Sequence, residues 1–444
     1  MILYARVENY RSIGEKQTLS FVANTDKSHN DLLIEEDNLR VLPVIPIYGG
    51  NATGKTNILK FLKTLVEIVT GKLDIEKAYE PCKFYQEKKE TIFEVVFIED
   101  QIKYYYKISY TEKEILEEGL FYYPNGKISK IFHKLNKEFS FGPTFESYLS
   151  KYSENLSEKA CFLNTISKFL GDATKNLNDV NRFFKENFIF INFDTTTYNI
   201  ENAKEIFKKN PENNKKLKEF IDYFYKHMNI GAKGIVYSSG FKPEQSDILK
   251  KIFDNKEFLQ KLSKKQNEKL KIELGFNKEE LIKMLLADSD KMYLVYETKN
   301  GDVEIPIEEE SEGIKKIFSL GLPIAEALCQ NKIIVFDELE IGFHPILSRK
   351  IVELFLGTKN KAQLLFTTHN TNLLDLELFR RDQIYFASRT ENTDFKTIIK
   401  SLGEIPGIRK SADIEKAYLE GKYSDAPTYE RFNRDEIGDI LCQA

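Results

Sequence analysis

Residues 41–56 read Val41-Leu42-Pro43-Val44-Ile45-Pro46-Ile47-Tyr48 and then Gly49-Gly50-Asn51-Ala52-Thr53-Gly54-Lys55-Thr56, and this stretch decides the fold. An apolar run precedes the pattern GxxxxGK[ST], and a helical pattern follows it. Glycines let backbone N–H groups and the helix N-terminus face a phosphate, while Lys55 adds a positive charge and Thr56 offers a hydroxyl to magnesium. The sequence therefore predicts a phosphate-binding loop formed by Gly49, Gly50, Asn51, Ala52, Thr53, Gly54, Lys55, Thr56 and Asn57.

A second apolar stretch, Ile333-Ile334-Val335-Phe336, ends in the two acids Asp337 and Glu338. Asp337 is expected to hold magnesium through water, and Glu338 to orient and deprotonate an attacking water. An acid pair alone often marks only a turn or a helix cap, but the phosphate loop makes the catalytic interpretation the stronger one. Lys55 and Asp337 are 282 positions apart, which predicts an insertion between two halves of one domain.

The periodicity of the chain changes twice. Residues 1–125 alternate like strands, most clearly at 91–110, and predict an antiparallel β meander. Residues 126–290 contain lysine-rich segments of helical period, such as 247–262, and predict a mainly helical insertion subdomain. Strand signals return in 291–444, so we expect an α/β protein in which the two ends build one domain.

Net charge gives no reason to expect general attraction to nucleic acid, because 65 basic and 69 acidic residues leave a charge of −4. Residues 204–271 are an exception, with 17 Lys against 9 acids. This segment is either a solvated helical surface or a surface for nucleic acid or an acidic partner.

The cellular location is expected to be cytoplasmic, without a membrane segment. No apolar stretch approaches the roughly 20 residues that span a bilayer, and the first residues lack a signal-peptide pattern. The cysteines are far apart and are expected to be reduced thiols: Cys82, Cys161, Cys329 and Cys442.

Two further motifs flank the acidic strand in a diagnostic order. Ser311-Glu312-Gly313 precedes it, and Thr367-Thr368-His369-Asn370 follows it after an apolar strand. With these motifs the sequence resembles the P-loop ATPase heads of the ABC type found in the SMC, Rad50 and RecF class. It looks most like the stand-alone AAA-15 and AAA-21 ATPases of bacterial phage-defence operons, the RloA, AbiLi and AriA type. The stretches that carry the resemblance include VENYRSIG, SEGIKKIFSL, IIVFDELEIGFHPIL, QLLFTTHN, RRDQIYF and EKAYLEGKYSDAP.

The resemblance implies ATP and Mg²⁺ as cofactors and assigns roles to residues. Thr56 and Asp337 match the magnesium contacts, Glu338 the catalytic base and His369 the switch histidine that senses the γ-phosphate. Ser311 and Gly313 match the signature that contacts the nucleotide of the opposite subunit. The implied assembly is a homodimer with ATP between its heads, or a higher oligomer.

Three positions, His344, Gln86 and Arg11, depart from the class pattern or have an ordinary alternative. His344 stands where transporter-type heads carry an Asp, and defence-type ATPases share this His-Pro variant. Gln86 lies in the region of the Q-loop, but a solvated loop glutamine is the stronger interpretation. Arg11 matches an arginine near the nucleotide in related heads, and an ordinary surface arginine is the alternative.

Three functions remain open at this point. The first is an ATPase whose cycle controls a separate effector, such as a Toprim or RloB-like nuclease, in abortive infection. The second is a RecF-like ATPase that binds DNA directly, supported only by residues 204–271. The third is a nuclease with a fused Toprim domain, for which the 75 residues after His369 are too few.

Overall fold

The computed structural model divides the chain into two units, one formed by Met1–Thr197 with Glu326–Ala444 and the other by Tyr198–Ala325. The structure describes residues 1–36, 38–86, 89–169, 175–193, 214–228, 230–238, 291–340, 344–389, 393–409 and 412–423. The structural statements that follow concern these residues.

The strands of the described residues come in several groups along the chain. They are β1 (Ile2–Glu8), β2 (Gln17–Ser20), β3 (Ile34–Glu36), β4 (Leu39–Val41), β5 (Val44–Tyr48), β6 (Thr91–Glu99), β7 (Ile102–Tyr110), β8 (Ile115–Tyr122), β9 (Ser129–Leu135), β10 (Glu138–Phe141), β11 (Phe188–Ile191), β12 (Gly234–Ser238), β13 (Lys291–Thr298), β14 (Gly301–Pro306), β15 (Ile333–Phe336), β16 (Gln363–Thr367), β17 (Tyr385–Ser388) and β18 (Ile398–Ser401). The helices are α1 (Lys55–Thr70), α2 (Ile75–Ala78), α3 (Glu146–Leu149), α4 (Phe162–Ser167), α5 (Lys175–Glu186), α6 (Asn214–His227), α7 (Glu312–Gln330), α8 (Pro345–Gly357) and α9 (Ile414–Leu419).

The first unit contains an antiparallel meander with the strand order β10-β9-β8-β7-β6-β1-β2. Its inner face follows the alternation seen in the sequence, because Phe93, Val95 and Phe97 are buried and pair with Ile108, Tyr106 and Tyr104. The meander does not end near residue 125 as predicted. Pro124–Gly126 forms a turn between β8 and β9, and the sheet continues through β9 and β10 to Phe141.

A second, mainly parallel sheet in the same unit has the order β11-β15-β16-β5-β17-β18, and only the β17–β18 pair is antiparallel. Strands β5, β15 and β16 are buried at every position, which is why they read as continuous apolar runs. Strand β16 lies between β5 and β15, so the loops that follow these three strands meet at one edge of the sheet. The expected α/β P-loop fold with an antiparallel meander is confirmed.

Helix α1 joins the two sheets of this unit into one hydrophobic core. It contacts β1 of the meander and β16 of the parallel sheet. Its side chain Phe61 packs against Phe93, with ring centroids 5.7 Å apart, and Tyr10 meets the same ring edge-on at 5.2 Å. The position of the phosphate loop at the start of α1 is therefore fixed by the core itself.

Distant parts of the chain are bound together within the first unit. The amide of Ile2 donates to Gln363 Oε1 at 2.7 Å, and Gln363 Nε2 donates back to the Ile2 carbonyl at 2.9 Å. Arg380, of the stretch RRDQIYF, is fully buried and donates from Nε to Asp382 Oδ1 at 2.9 Å, and Asp382 also accepts from the amide of Asn24. These contacts give the RRDQIYF stretch a structural role.

The second unit spans Tyr198–Ala325, so the predicted insertion boundaries of 126–290 are wrong. Strand β11 lies inside that range but belongs to the parallel sheet of the first unit. Strand β13 lies within the predicted C-terminal half, yet it pairs with β12 and β14 in a separate antiparallel sheet of the second unit. Alternation predicted this strand but could not identify its partners. The helical prediction for 239–290 lies outside the described residues.

Candidate functional site

The phosphate loop connects the buried strand β5 to α1, and its glycines are required by close packing. A Cβ atom at Gly49 would lie 2.5 Å from the carbonyl oxygen of Ala387. Gly54 precedes α1 with a φ of +93°, and a Cβ there would lie 2.0 Å from Thr397 Oγ1. Side chains are therefore excluded at both positions, and the loop backbone stays close to its neighbours.

Lys55 is buried within this loop, with 6% of its surface exposed. Its Nζ donates to the carbonyl oxygens of Gly49 at 2.9 Å and Gly50 at 2.8 Å. Burial lowers the pKa of Lys55 to about 8, although the carboxylates of Glu338 and Asp337 act in the opposite direction. A buried cation held by neutral carbonyls provides a binding site for an anion.

Asp337 follows β15 and lies where the two motifs meet. Its Oδ1 accepts hydrogen bonds from Thr56 Oγ1 at 3.1 Å and from Thr367 Oγ1 at 2.6 Å. The first hydroxyl belongs to the phosphate loop and the second to the end of β16. Because hydroxyl and carboxylate oxygens are the donors that Mg²⁺ prefers, Thr56 and Asp337 fit a magnesium ion bound together with phosphate oxygens.

Glu338 has a backbone conformation that is unusual for its residue type, with a φ of +55°. Its amide donates to Thr367 Oγ1 at 2.7 Å, which holds the turn in place. Burial raises the pKa of Glu338, and the nearby Asp337 and Glu340 carboxylates raise it further. A strained residue with a raised pKa next to a phosphate loop has the properties of a general base.

His369 and its neighbour Thr368 are both bound by Glu340. The amide of His369 donates to Glu340 Oε1 at 2.5 Å, and Thr368 Oγ1 donates to Oε2 at 2.7 Å. Burial and the charge of Lys55 lower the pKa of His369, so its imidazole is neutral near pH 7. Sequence reasoning missed Glu340, whose only signal was a third acid in the stretch FDELE.

A second group of residues missed from the sequence holds the phosphate loop from the other side. Thr397 Oγ1 donates to the carbonyl oxygen of Thr53 at 2.9 Å and lies 2.7 Å from Ser12 Oγ. Asn57 Nδ2 donates to the same Ser12 oxygen at 2.8 Å. Ser12 lies within the stretch VENYRSIG, but nothing in the sequence around Thr397 indicated this contact.

Arg11, Gln86 and His344 occupy different surroundings. Arg11 binds Glu80 through Nε at 2.8 Å and, with Ser12, lines a cleft beside α1. Gln86 is exposed. His344 is exposed and caps α8, because its Nδ1 accepts from the amide of Ile346 at 3.3 Å.

The signature residues lie in the second unit, at the N-terminus of α7. Ser311, Glu312 and Gly313 are exposed, and Ser311 Oγ accepts from the amide of Ile314 at 3.4 Å as a helix cap. A Cβ at Gly313 would meet no atom within 4 Å. This helix end therefore has room to contact another molecule.

The family of the chain follows from residues 45–375, which include the phosphate loop and the strand ending at Asp337. They match the family described as "AAA domain, putative AbiEii toxin, Type IV TA system". The chain belongs to this family. Membership in this AAA-domain family confirms the predicted AAA-21 type of ATPase, whereas the phage-defence assignment stays a prediction.

Similar solved structures are SMC heads at low identity. The SMC head bound to the C-terminal winged-helix domain of ScpA is 12% identical, with 90% of this chain and 97% of that chain covered and a TM-score of 0.43. The SMC head domain from Thermotoga maritima is 10% identical, with 90% of this chain and 98% of that chain covered and a TM-score of 0.41. The Smc head with an extended coiled coil, bound to the C-terminal domain of ScpA derived from Pyrococcus furiosus, is 13% identical. The match covers 91% of this chain and 97% of that chain, with a TM-score of 0.39.

No curated protein matches the chain. Among the described residues, no helix combines the length and the apolar character that crossing a membrane requires.

Proposed function

We propose that this protein binds ATP with Mg²⁺ and hydrolyses it to ADP and phosphate. The observation that carries the proposal is the meeting of Thr56 and Thr367 at one oxygen of Asp337. It brings the loop hydroxyl and the acidic strand, 281 positions apart, to the place where a metal–phosphate complex needs both. Membership in an AAA-domain family supports the same chemistry.

Each residue then has a defined task in hydrolysis. Lys55 and the backbone N–H groups of the loop bind the phosphates, and Thr56 and Asp337 would hold Mg²⁺, which would supply positive charge beside the phosphate oxygens. Glu338 orients the attacking water and accepts its proton, and its raised pKa strengthens it as a base. His369 contacts the γ-phosphate as a neutral imidazole, oriented through the backbone by Glu340.

The proposal extends to a homodimer in which ATP lies between two heads. It is supported by the exposed position of Ser311 and Gly313, which leaves both free to meet a nucleotide bound to another subunit. Contacts made through the γ-phosphate would be lost on hydrolysis, so the nucleotide state would set the association of the heads.

We further propose that this switch regulates a separate effector, such as a Toprim or RloB-like nuclease, in phage defence. The support is the resemblance to defence-operon ATPases and the family description, which names a toxin–antitoxin system. The RecF-like alternative depends on residues 204–271, most of which lie outside the described residues. Among the residues that the structure describes, no contact favours that alternative.

Phosphate release from ATP by the purified protein tests the catalytic proposal. The wild-type protein should release phosphate only with Mg²⁺ present, and Lys55→Ala should lose both binding and turnover. Lys63→Ala, a change on the same helix away from the loop, is the matched control and should behave as wild type. Equal turnover by Lys55→Ala would contradict the proposal.

A further inference from the structure

A cleft of about 560 Å³ opens beside the phosphate loop in the first unit. It lies between the turn at Arg11 and Ser12, the segment from Tyr79 to Phe84, and Arg389, and Asn57 of α1 forms part of its wall. Asn57 and Ser12 belong to the group that holds the loop. The cleft is therefore continuous with the proposed phosphate site.

The walls of this cleft are joined by backbone hydrogen bonds between segments distant in sequence. The amide of Arg11 donates to the carbonyl oxygen of Glu80 at 2.6 Å, and the amide of Thr397 donates to that of Ser12 at 2.7 Å. The amide of Cys82 donates to Asn9 Oδ1 at 2.9 Å. The cleft has a defined shape because two of these three contacts join backbone to backbone.

An aromatic side chain in this wall keeps much of its surface uncovered. Phe84 is 49% exposed, and its neighbour Phe395 is 47% exposed at a centroid distance of 6.1 Å. Exposed aromatic surface is costly in water unless a ligand covers it. An exposed ring in the cleft wall, with a second exposed ring beside it, indicates a surface that receives a flat apolar group.

Arg389 connects this aromatic surface to the phosphate loop. Its guanidinium carbon lies 5.3 Å from the centre of the Phe84 ring, and its Nη1 lies 3.4 Å from the carbonyl oxygen of Ala52. One side chain thus spans the distance between the loop and Phe84. A nucleotide with its phosphates in the loop would place its base within reach of the same cleft.

We propose that Phe84 and Arg389 form the subsite for the base of the bound nucleotide, an inference that rests on the proposed ATPase function. Aromatic rings and guanidinium groups both stack on the flat faces of nucleobases. The charge balance is compatible, since Glu80, the one acid among the described residues of the cleft wall, is bound by Arg11. Base stacking makes ATP a tighter ligand than its phosphate chain alone.

Calorimetric titration with Mg·ATP and Mg·tripolyphosphate tests this subsite. The wild-type protein should bind ATP at least about tenfold more tightly than tripolyphosphate. Phe84→Ala should weaken ATP binding by about tenfold and leave tripolyphosphate binding unchanged, and Phe84→Tyr should retain wild-type affinity for both. Phe169→Ala is the matched control, because Phe169 is an aromatic residue of similar exposure outside the cleft.

The other outcomes overturn distinct statements. Unchanged ATP affinity in Phe84→Ala, or equal loss for both ligands, would overturn the base subsite. Equal binding of ATP and tripolyphosphate by the wild-type protein would overturn it as well, while leaving the proposed phosphate site intact. If the wild-type protein binds neither ligand, the proposed function fails and this inference fails with it.

Discussion

The hydroxyl of Thr367 donates a hydrogen bond of 2.6 Å to the carboxylate of Asp337. The same hydroxyl oxygen accepts a bond of 2.7 Å from the amide of Glu338. One side chain at the end of β16 thus positions both the proposed magnesium ligand and the proposed base. Since β16 lies between the two motif-bearing strands, its end is the natural position for such a residue.

Replacing Thr367 with valine should damage both the fold and the activity. The change keeps the shape of the side chain but leaves the amide of Glu338 without its acceptor. The free energy of unfolding should fall by about 1–3 kcal/mol, the cost of a buried unsatisfied group, and turnover should fall at least about tenfold. Urea denaturation and phosphate release measure the two effects. Thr367→Ser keeps the hydroxyl and is the control; equal losses in both variants would show that the hydrogen bonds are unimportant.

Glu338→Gln should bind ATP normally and lose turnover by about 10²- to 10⁴-fold, the usual contribution of a general base. In the wild-type protein the rate should fall as the pH drops through the pKa of Glu338, because the base must be ionised. That pKa is raised, so the acidic limb should lie at a higher pH than for an ordinary glutamate. A profile of kcat/KM against pH, which reports the nucleotide-free protein, measures this limb, and wild-type turnover in Glu338→Gln would remove the residue from catalysis.

Lys55→Met should lose ATP binding and yet stabilise the nucleotide-free protein. Burial lowers the pKa of Lys55 to about 8 in the fold, so its charged form costs stability at neutral pH. At pH 7 the free energy of unfolding should rise by up to about 3 kcal/mol, and the gain should shrink as the pH increases from about 8 towards 10.5. Urea denaturation at several pH values checks the sign. If the stability gained by Lys55→Met instead increased with pH, the lowered pKa of Lys55 would be contradicted.

Ser311→Arg should abolish turnover without weakening ATP binding to an isolated subunit, if the signature acts on a partner's nucleotide. Mixing this variant with Lys55→Ala should restore part of the activity. In the mixed dimer, one site combines an intact phosphate loop with an intact signature from the other subunit. Phosphate release after mixing is the measurement. Activity that stays absent at all ratios would contradict action across the dimer.

Glu118→Ala should destabilise the meander far more than the neighbouring change Glu117→Ala. The carboxylate of Glu118 is fully buried and accepts from the amides of Phe162 at 2.7 Å and Leu163 at 2.8 Å, which ties α4 to β8. Glu118→Ala leaves these buried amides without an acceptor and should lower the free energy of unfolding by about 3–5 kcal/mol. Glu117 is only half-buried, so Glu117→Ala should lower it by less than about 1 kcal/mol. Thermal and urea unfolding compare the two variants; similar losses would contradict this role.

The parts of the site that could be predicted are those formed by residues that are consecutive in the sequence. The loop from Gly49 to Thr56 and the pair Asp337 and Glu338 each combine an apolar strand with its functional end, so the pattern itself specifies the local structure. Thr397 could not be identified in this way. Its contacts with Ser12 and Thr53 join positions more than 340 residues apart, and a single sequence carries no signal for such pairing.

In the fold, too, local features could be predicted from the sequence, whereas domain boundaries and strand pairing could not. Alternating residues predicted the strands of the meander correctly, but Pro124–Gly126 has the composition of a domain boundary and serves only as a turn between β8 and β9. Strand β13 shows the complementary case. Its alternation is real, yet strand pairing is decided by partners elsewhere in the chain.

The contact between Thr397 and the phosphate loop has a consequence for how the protein is made. The loop residues leave the ribosome early, and the backbone of Thr53 then lacks the hydroxyl that holds it. Strand β16 and the acid at Asp337 are also synthesised late, after the whole second unit. Under the proposed function, a nascent chain has no complete nucleotide site until residue 397 has emerged, and ATP can favour only the finished fold.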